Sequence, residues 1–222
     1  MNRQDFMIFM GVLAGVISLL AYIPYIASII RRKTVPSRTT WWILFFVGVV
    51  TLITYEESGA SNTIFFLVGD VIGAFLTALL SILYGKDGIR FFDKMCFLGA
   101  LISLGFWVIF QESPTVAFSV SLTVEVIAII PTVRKTYFDP NEEDVVAWLL
   151  TFIAAVANLY AIETWSLIVA SYPVYEFFIN GVVIFFLSRG KRGRRGYFFS
   201  ERNRAFSGSR AIDKIFEYGS SG

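Results

Sequence analysis

Long apolar stretches alternate with short polar segments from the start of the chain to residue 188. The stretches are continuously apolar and lack the every-second-residue alternation of lipid-facing strands, so they predict α-helices rather than a β-barrel. Each is long enough, or nearly so, to cross a hydrocarbon core of about 30 Å. We predict seven membrane-spanning helices, of which the fourth and sixth are short: 6–30, 39–55, 62–84, 95–111, 114–133, 145–162 and 165–188.

Two stretches share one plan, which indicates an internal duplication. In 22–42, YIPYIASIIRRKTVPSRTTWW, a proline stands near the end of an apolar run, a basic loop follows, and a tryptophan begins the next run. The stretch 127–148, IAIIPTVRKTYFDPNEEDVVAW, repeats these features. The matching landmarks are 107 residues apart: Pro24 and Pro131, Trp41 and Trp148.

The duplication divides the helices into two triplets and leaves the fourth helix, 95–111, without a counterpart. An odd linker helix returns the chain to its starting side, so both triplets insert with the same sense. We therefore predict an all-α integral membrane fold of two parallel three-helix repeats joined by a linker helix. The predicted units are the first triplet with its cytoplasmic loop, 1–94, the linker, 95–113, the second triplet, 114–188, and a basic cytoplasmic tail, 189–222.

Composition and charge place the chain in a bilayer and orient it. Hydrophobic residues make up 56% of the 222 residues, and the mean hydropathy of +0.66 is too high for the surface of a water-soluble domain. With seven spans, all the Lys and Arg clusters other than Arg3 fall on one face, and the loops of the opposite face hold acids but no Lys or Arg. The positive-inside rule then predicts an external N-terminus and a cytoplasmic C-terminus. The basic clusters are Arg31–Lys33 with Arg38, Lys86 to Lys94, Arg134 with Lys135, and the tail; the opposite acids are Glu56, Glu57, Glu112 and Glu163.

Several classes of site are disfavoured by what the sequence lacks. There is no histidine and only one cysteine, Cys96, so neither the usual zinc site nor an internal disulfide is expected, and we predict no cofactor. The first apolar run is interpreted as a retained helix rather than a signal peptide, because no small-residue cleavage site follows it. The tail is interpreted as a positive stop signal, or alternatively as a contact for anionic lipid headgroups, and not as a nucleic-acid site. Its last four residues, 219–222, are typical of an expression-tag remnant.

Three acids stand inside the predicted helices, at Asp70, Glu125 and Glu176. A charge in the middle of a bilayer costs roughly 2.5–3.5 kcal/mol or more, so each is a candidate functional residue. The predicted spans contain no Lys or Arg to neutralise them. We expect these acids to face a wet cavity, to be protonated, or to meet a cationic ligand.

Asp70 and Glu176 are predicted to be equivalent positions in the two triplets. They lie 106 residues apart, and a one-residue deletion near Glu163 would account for the difference from 107. We expect the pair to line the substrate path; the alternative is that each acid bonds a neighbouring helix. Glu125 has Ser18 as its counterpart and breaks the symmetry. Two roles for Glu125 are therefore left open: proton coupling or gating, and a structural hydrogen bond.

The duplicated prolines and tryptophans are the next candidates. Pro24 and Pro131 each remove one helix hydrogen bond, so they are predicted hinges, although membrane helices also tolerate proline without moving. Trp41 and Trp148 begin the second and sixth helices, where anchoring at the interface and lining of the cavity are both open.

Three further polar residues are candidate ligand contacts. Thr51 and Asn158 are again 107 apart and would lie deeper in the membrane, where they would bond either a ligand or another helix. Asn180 follows Glu176 by four residues, which puts both side chains on one helix face.

These landmarks resemble those of the SWEET and PQ-loop transporter superfamily. Pro24 and Pro131, each before a basic cytoplasmic loop, resemble its proline–glutamine loop. Asp70-Val-Ile-Gly73 followed by Leu83-Tyr84 has the spacing of the asparagine, glycine and Leu-Tyr landmarks in the third helix of SWEET repeats. The three-one-three helix order is also similar, over about residues 6–188. The resemblance implies alternating access by rocking of two triplets around a midplane site.

The chain departs from the SWEET pattern at several positions. Tyr25 and Thr132 replace the loop glutamine, and the prolines expected in the second and sixth helices are missing. Asp70 and Glu176 stand where sugar-binding SWEETs have asparagine. These acids argue against simple facilitated sugar transport and favour proton coupling or a cationic solute, as in the lysosomal amino-acid branch of the superfamily.

The sequence therefore favours a transporter of a small polar solute, either a sugar or a cationic, amino-acid-like molecule. The alternative is a ligand-binding sorting or sensing receptor on the same seven-helix fold, which would bind without net flux. An enzyme is disfavoured because no zincin motif, nucleophile elbow or phosphate loop occurs. A retinal protein is disfavoured because the seventh helix has no lysine for a Schiff base.

Overall fold

The computed structural model describes residues 2–85, 98, 101–102, 105, 108–109, 113–138, 140 and 143–189. Within these ranges the chain is helical apart from short connections, which confirms the all-α prediction. We number six helices in chain order: α1 Arg3–Ile30, α2 Arg38–Glu57, α3 Ile64–Tyr84, α4 Pro114–Phe138, α5 Val145–Tyr160 and α6 Leu167–Arg189. Five of them are long and apolar enough to cross a membrane, whereas α5, with 16 residues, is shorter.

Six of the seven predicted spans coincide with these helices to within a few residues at each end. The predicted linker helix, 95–111, lies largely outside the described residues. The six described residues inside it are helical: 98, 101, 102, 105, 108 and 109. The basic loop at 86–94 and the tail beyond residue 189 also lie outside the described part, so the linker and the tail stay predictions.

Each half of the described chain packs against the other half as well as against itself. α1 packs against α3 and α5, and α2 packs against α3 and α4. α6 meets α5 through the rings of Phe152 and Phe177, whose centroids are 5.3 Å apart. It meets α4 through Tyr137 and Phe186, whose centroids are 5.2 Å apart. The first three helices therefore interlock with the last three.

Glycines let α1 and α3 approach closely. A side-chain carbon added at Gly15 would overlap the backbone carbonyl of Phe65, and one added at Gly11 would overlap that of Asn62. On the other helix, a carbon at Gly69 would lie within 2.6 Å of the Gly15 carbonyl oxygen. Small residues four apart are typical of helix interfaces in membranes, because they let two backbones meet.

Large apolar side chains cover the outside of the bundle. On α1, Phe9, Val16 and Ile23 are each more than half exposed, and Leu83 at the end of α3 is 78% exposed. Such a surface would drive aggregation in water. It fits an environment of lipid chains, where exposed apolar side chains carry no penalty.

The basic loop after α1 begins with a strained residue. The helix ends in a Schellman motif, in which the Lys33 amide donates to the Ser28 carbonyl at 2.9 Å and the Arg32 amide donates to the Ile29 carbonyl at 2.8 Å. This motif puts Arg32 at a φ of 57°, where a side chain other than that of glycine or asparagine costs about 1–2 kcal/mol.

We expect Arg32→Gly to raise the free energy of unfolding by about 0.5–1 kcal/mol, because glycine relieves the strain but loses more entropy on folding. The midpoint of thermal unfolding in detergent micelles measures this. Arg31→Gly is the matched control: Arg31 has a φ of −77°, so it loses the same charge without relieving strain and should not be stabilised. A gain that is equal in both variants would assign the effect to charge.

Candidate functional site

A cavity lies between the two halves of the chain, and all six described helices contribute to its wall. Its volume is about 90 Å³. Because one water molecule needs roughly 10–15 Å³ of such space, the cavity can hold several waters or one small organic solute. The residues of the wall are Ala21, Tyr22, Tyr25, Trp41, Leu44, Gly48, Asp70, Val71, Ala74, Glu125, Ile129, Ala147, Trp148, Thr151, Tyr175, Glu176, Ile179 and Asn180.

Aromatic rings and carboxyl groups come from different levels of the helices. Trp41 and Trp148 each stand three residues after the first residue of their helix, so they lie near the end of the bundle where α2 and α5 begin. Asp70, Glu125 and Glu176 each lie at least six residues from both ends of their helices. At a rise of about 1.5 Å per residue, each acid is at least about 9 Å along the axis from either end of its own helix.

Asp70 is held by a tyrosine from α1. The Tyr22 hydroxyl donates to Asp70 Oδ1 at 2.7 Å. Gly73, one turn after Asp70, lies against the Tyr22 ring, and any side-chain carbon at Gly73 would overlap that ring. The glycine thus provides the space in which Tyr22 reaches the carboxyl group.

Glu176 is held by its own helix. The Asn180 amide nitrogen donates to Glu176 Oε2 at 2.9 Å and to the Glu176 backbone carbonyl at 2.8 Å. The Glu176 backbone carbonyl can only accept, so this bond assigns the orientation of the Asn180 amide. Its carbonyl oxygen has no hydrogen-bond donor among the described residues, although Asn180 is only 1% exposed. A buried acceptor without a donor is uncommon in proteins.

Glu125 makes a bond that crosses between the two halves. Thr51 Oγ1 donates to Glu125 Oε1 at 2.8 Å, and both residues are buried. Ser18 and Asn158, the positions 107 residues away, are also fully buried. The Ser18 hydroxyl and both polar atoms of the Asn158 side chain have no partner within the described part of the chain. The bond between the halves is therefore made by Thr51 and Glu125, but not by their counterparts Asn158 and Ser18.

Thr51→Val should lower the free energy of unfolding by about 1–3 kcal/mol, because it leaves the buried Glu125 carboxyl without its side-chain donor. Thermal unfolding of the detergent-solubilised protein measures this. Thr123→Val is the control, since Thr123 is exposed and donates only to Ser119 within its own helix. An unchanged midpoint for Thr51→Val would show that the cross-half bond contributes nothing.

Most of the residues that the sequence singled out lie around this cavity, and a few do not. Thr51 and Asn158 are buried and are not among the residues of its wall. A ligand contact by either residue stays a prediction. Pro24 and Pro131 lie within α1 and α4, and both helices continue past them. The predicted site residues that line the cavity are Trp41, Asp70, Glu125, Trp148, Glu176 and Asn180.

Sequence reasoning missed four polar residues of the cavity wall: Tyr22, Tyr25, Thr151 and Tyr175. Tyrosine within an apolar helix is a usable signal, because its buried hydroxyl needs a hydrogen-bond partner. Tyr22 stands two residues before Pro24, inside an apolar helix. A hydrogen bond from its hydroxyl to one of the intramembrane acids could have been predicted on that ground. Nothing in the sequence pattern separates Tyr175 from the tyrosines that face lipid.

The charged side chains of the cavity wall all carry the same sign. Asp70, Glu125 and Glu176 line it, and within the described part of the chain no Lys or Arg does. In the described residues, no three acids or cysteines stand close enough together to hold one metal ion. The cavity is therefore an acidic, aromatic chamber without a compact set of metal ligands.

The opposite end of the bundle, where α3 and α6 begin, is joined across the two halves. The Tyr55 hydroxyl is 2.6 Å from the Val169 carbonyl oxygen, to which it donates, and 2.8 Å from the Thr63 hydroxyl. Nearby, the Ser61 amide and hydroxyl donate to one carboxylate oxygen of Glu163 at 2.6 and 3.0 Å. These bonds link the two halves at this end, while the tryptophans stand at the other.

Comparison of the chain with protein-family models, curated proteins and solved structures gave no match. The function is therefore argued from the geometry and chemistry of the cavity.

Proposed function

We propose that this chain is an alternating-access membrane transporter of a small polar solute. The observation that carries the proposal is the cavity, which lies between the two halves and is lined by three carboxyl residues. An acid in a membrane helix costs free energy, so its place on a cavity wall favours a role in binding or moving a solute or proton. Solute sites of transporters typically lie between two repeats, near the middle of the bilayer.

The pattern of helix contacts supports two related triplets. A twofold axis that exchanged α1 with α4, α2 with α5 and α3 with α6 would turn the α1–α5 contact into the α2–α4 contact, and both contacts occur. The same axis would exchange Trp41 with Trp148 and Asp70 with Glu176, and all four residues line one cavity. The resemblance to SWEET and PQ-loop transporters is part of the proposal on these grounds.

Transport requires the cavity to open to each side in turn. We propose that the bonds from Tyr55 to Val169 and from Ser61 to Glu163 close the outer end in this state, and that they break when the triplets rock. Pro24 and Pro131 are the proposed hinges, because each leaves one helix hydrogen bond unmade. The positive-inside rule assigns the outer end; proteolysis of the basic tail from the cytoplasmic side only would test it.

Glu125 is the proposed site of proton coupling. It lies on the cavity wall and is bonded to the opposite half through Thr51. A change in its protonation would therefore alter a contact between the parts that must move. Its counterpart, Ser18, carries no carboxyl group, so proton coupling would depend on the second half of the chain alone.

The proposal is tested with purified protein in proteoliposomes. Uptake of labelled sugars, amino acids and amines is measured with and without a pH gradient, against protein-free liposomes. Uptake that saturates with solute concentration supports transport, and its dependence on the gradient reports coupling. Binding without accumulation of any solute would reject transport in favour of the receptor function.

A further inference from the structure

We infer that the cavity is built for a small organic cation with a primary ammonium group and no carboxylate. The inference rests on the proposed solute site and names the class of solute. It excludes sugars and zwitterionic amino acids as the preferred ligands. Three independent features of the cavity wall carry it: its charge, its hydrogen-bonding atoms and its aromatic faces.

The charge of the wall favours a cation. Asp70, Glu125 and Glu176 line the cavity, and no Lys or Arg among the described residues does. A neutral sugar would leave any ionised carboxylate there uncompensated, and an unpaired buried charge is strongly unfavourable. An amino acid would bring an ammonium group, but it would also add a fourth carboxylate to a wall whose described residues include no cationic partner.

Four hydrogen-bond donors of the wall, on Tyr22, Asn180, Trp148 and Thr151, are engaged with protein acceptors. The Tyr22 hydroxyl donates to Asp70, and the Asn180 amide donates to Glu176. The Trp148 ring nitrogen donates to Glu143 outside the cavity wall at 3.1 Å. Thr151 donates to the backbone of its own helix. A ligand carboxylate would therefore find these donors taken.

Acceptors, in contrast, are in excess. The carbonyl oxygen of Asn180 is almost completely buried and has no donor among the described residues. Asn180 lies next to Glu176 on the same wall. A primary ammonium group has three N–H donors and no acceptor, which matches this set, whereas a quaternary ammonium has no N–H to give.

Aromatic rings supply a second kind of cation contact. Trp41 packs against Tyr25 and Tyr22, with ring centroids 5.3 and 6.2 Å away. Trp148 lines the same cavity from the other half. The faces of tryptophan and tyrosine attract ammonium groups. An ammonium group that enters past the tryptophans would thus meet favourable surfaces before it reaches the carboxyl groups.

Three compounds that share a four-carbon chain between their two amino or hydroxyl groups test the inference: putrescine, ornithine and 1,4-butanediol. Putrescine has two ammonium groups, ornithine is the same chain with an added carboxylate, and butanediol replaces both charges by hydroxyls. Binding to the purified protein in nanodiscs is measured by isothermal titration calorimetry. We expect putrescine to bind at least about tenfold more tightly than ornithine, and butanediol to show no binding. Equal or tighter binding of ornithine, or no binding of putrescine, would overturn the inference.

Two variants test whether the ligand occupies this cavity. Glu176→Gln keeps the shape of the side chain and should weaken putrescine binding by about tenfold. Glu57→Gln makes the same change at an exposed position at the end of α2, and it should leave the affinity unchanged. Equal affinities for both variants would place the amine elsewhere. The melting temperature of each variant confirms that it is folded.

The flux assay separates this inference from the proposed function. Putrescine binding without uptake into proteoliposomes would reject transport and leave the amine site standing. Uptake of glucose or ornithine in preference to putrescine would support transport and would overturn the inference that the preferred solute is an amine without a carboxylate.

Discussion

Replacement of Asp70 by asparagine should lower solute flux into proteoliposomes by about tenfold or more, and Glu176→Gln should do the same. Each change removes a carboxyl group from the cavity wall and leaves a side chain of nearly equal shape. If the acids bind the solute or its coupled proton, the loss of charge acts on transport directly. Initial uptake rates at saturating and at low solute concentration measure the effect.

Controls separate a loss of charge from a loss of structure. Glu57→Gln removes an exposed carboxyl group at the end of α2 and should transport normally. Tyr22→Phe keeps the aromatic ring but removes the hydroxyl that donates to Asp70 at 2.7 Å. It should reduce flux less than Asp70→Asn does, because the charge remains while its position is less fixed. Wild-type flux in both Asp70→Asn and Glu176→Gln would refute the proposed site.

Gly15→Ala should lower the free energy of unfolding by about 1–3 kcal/mol, which is the usual cost of forcing an extra carbon into a packed interface. The added carbon would overlap the Phe65 carbonyl. That atom belongs to the backbone of α3, so it cannot rotate away and the two helices must separate. The midpoint of thermal unfolding in detergent, together with the yield of folded protein, measures the effect.

Gly105→Ala is the matched control for this prediction. Gly105 is helical, and a side-chain carbon there meets no described atom within 4 Å. In an unobstructed helix, alanine is favoured over glycine by about 1 kcal/mol. The two substitutions should therefore shift the unfolding midpoint in opposite directions. Equal shifts would mean that the close approach of α1 and α3 does not contribute to stability.

The consequences of these substitutions differ because the helices and the cavity depend on different residues. Gly11, Gly15 and Gly69 fix how α1 lies on α3, and they are not part of the cavity wall. Gly73 contributes to both the helix contact and the cavity, since it packs on the ring of Tyr22, which in turn donates to Asp70. A disturbance of the α1–α3 interface is therefore expected to affect the position of Asp70 as well as stability.

The sequence predicted the candidate site in part. Asp70, Glu125 and Glu176 were selected because an acid inside an apolar membrane helix is energetically costly. All three line the cavity. The repeat offset selected Trp41 and Trp148, which line it too. The same offset selected Thr51 and Asn158, which lie off the cavity wall, because an equivalent position in a repeat guarantees a similar depth but not a similar neighbour.

The sequence alone determined where the helices lie. In hydrocarbon every backbone amide must be bonded within its own segment, so a continuous apolar run of sufficient length can form only a helix. The six described helices accordingly follow the apolar runs. Only the tertiary structure decided which faces meet, because apolar side chains serve equally well against lipid and against another helix. The pairing of Tyr22 with Asp70 and of Thr51 with Glu125 follows from that packing and not from hydropathy. The same holds for the Asn180 oxygen, which has no donor in the described part of the chain.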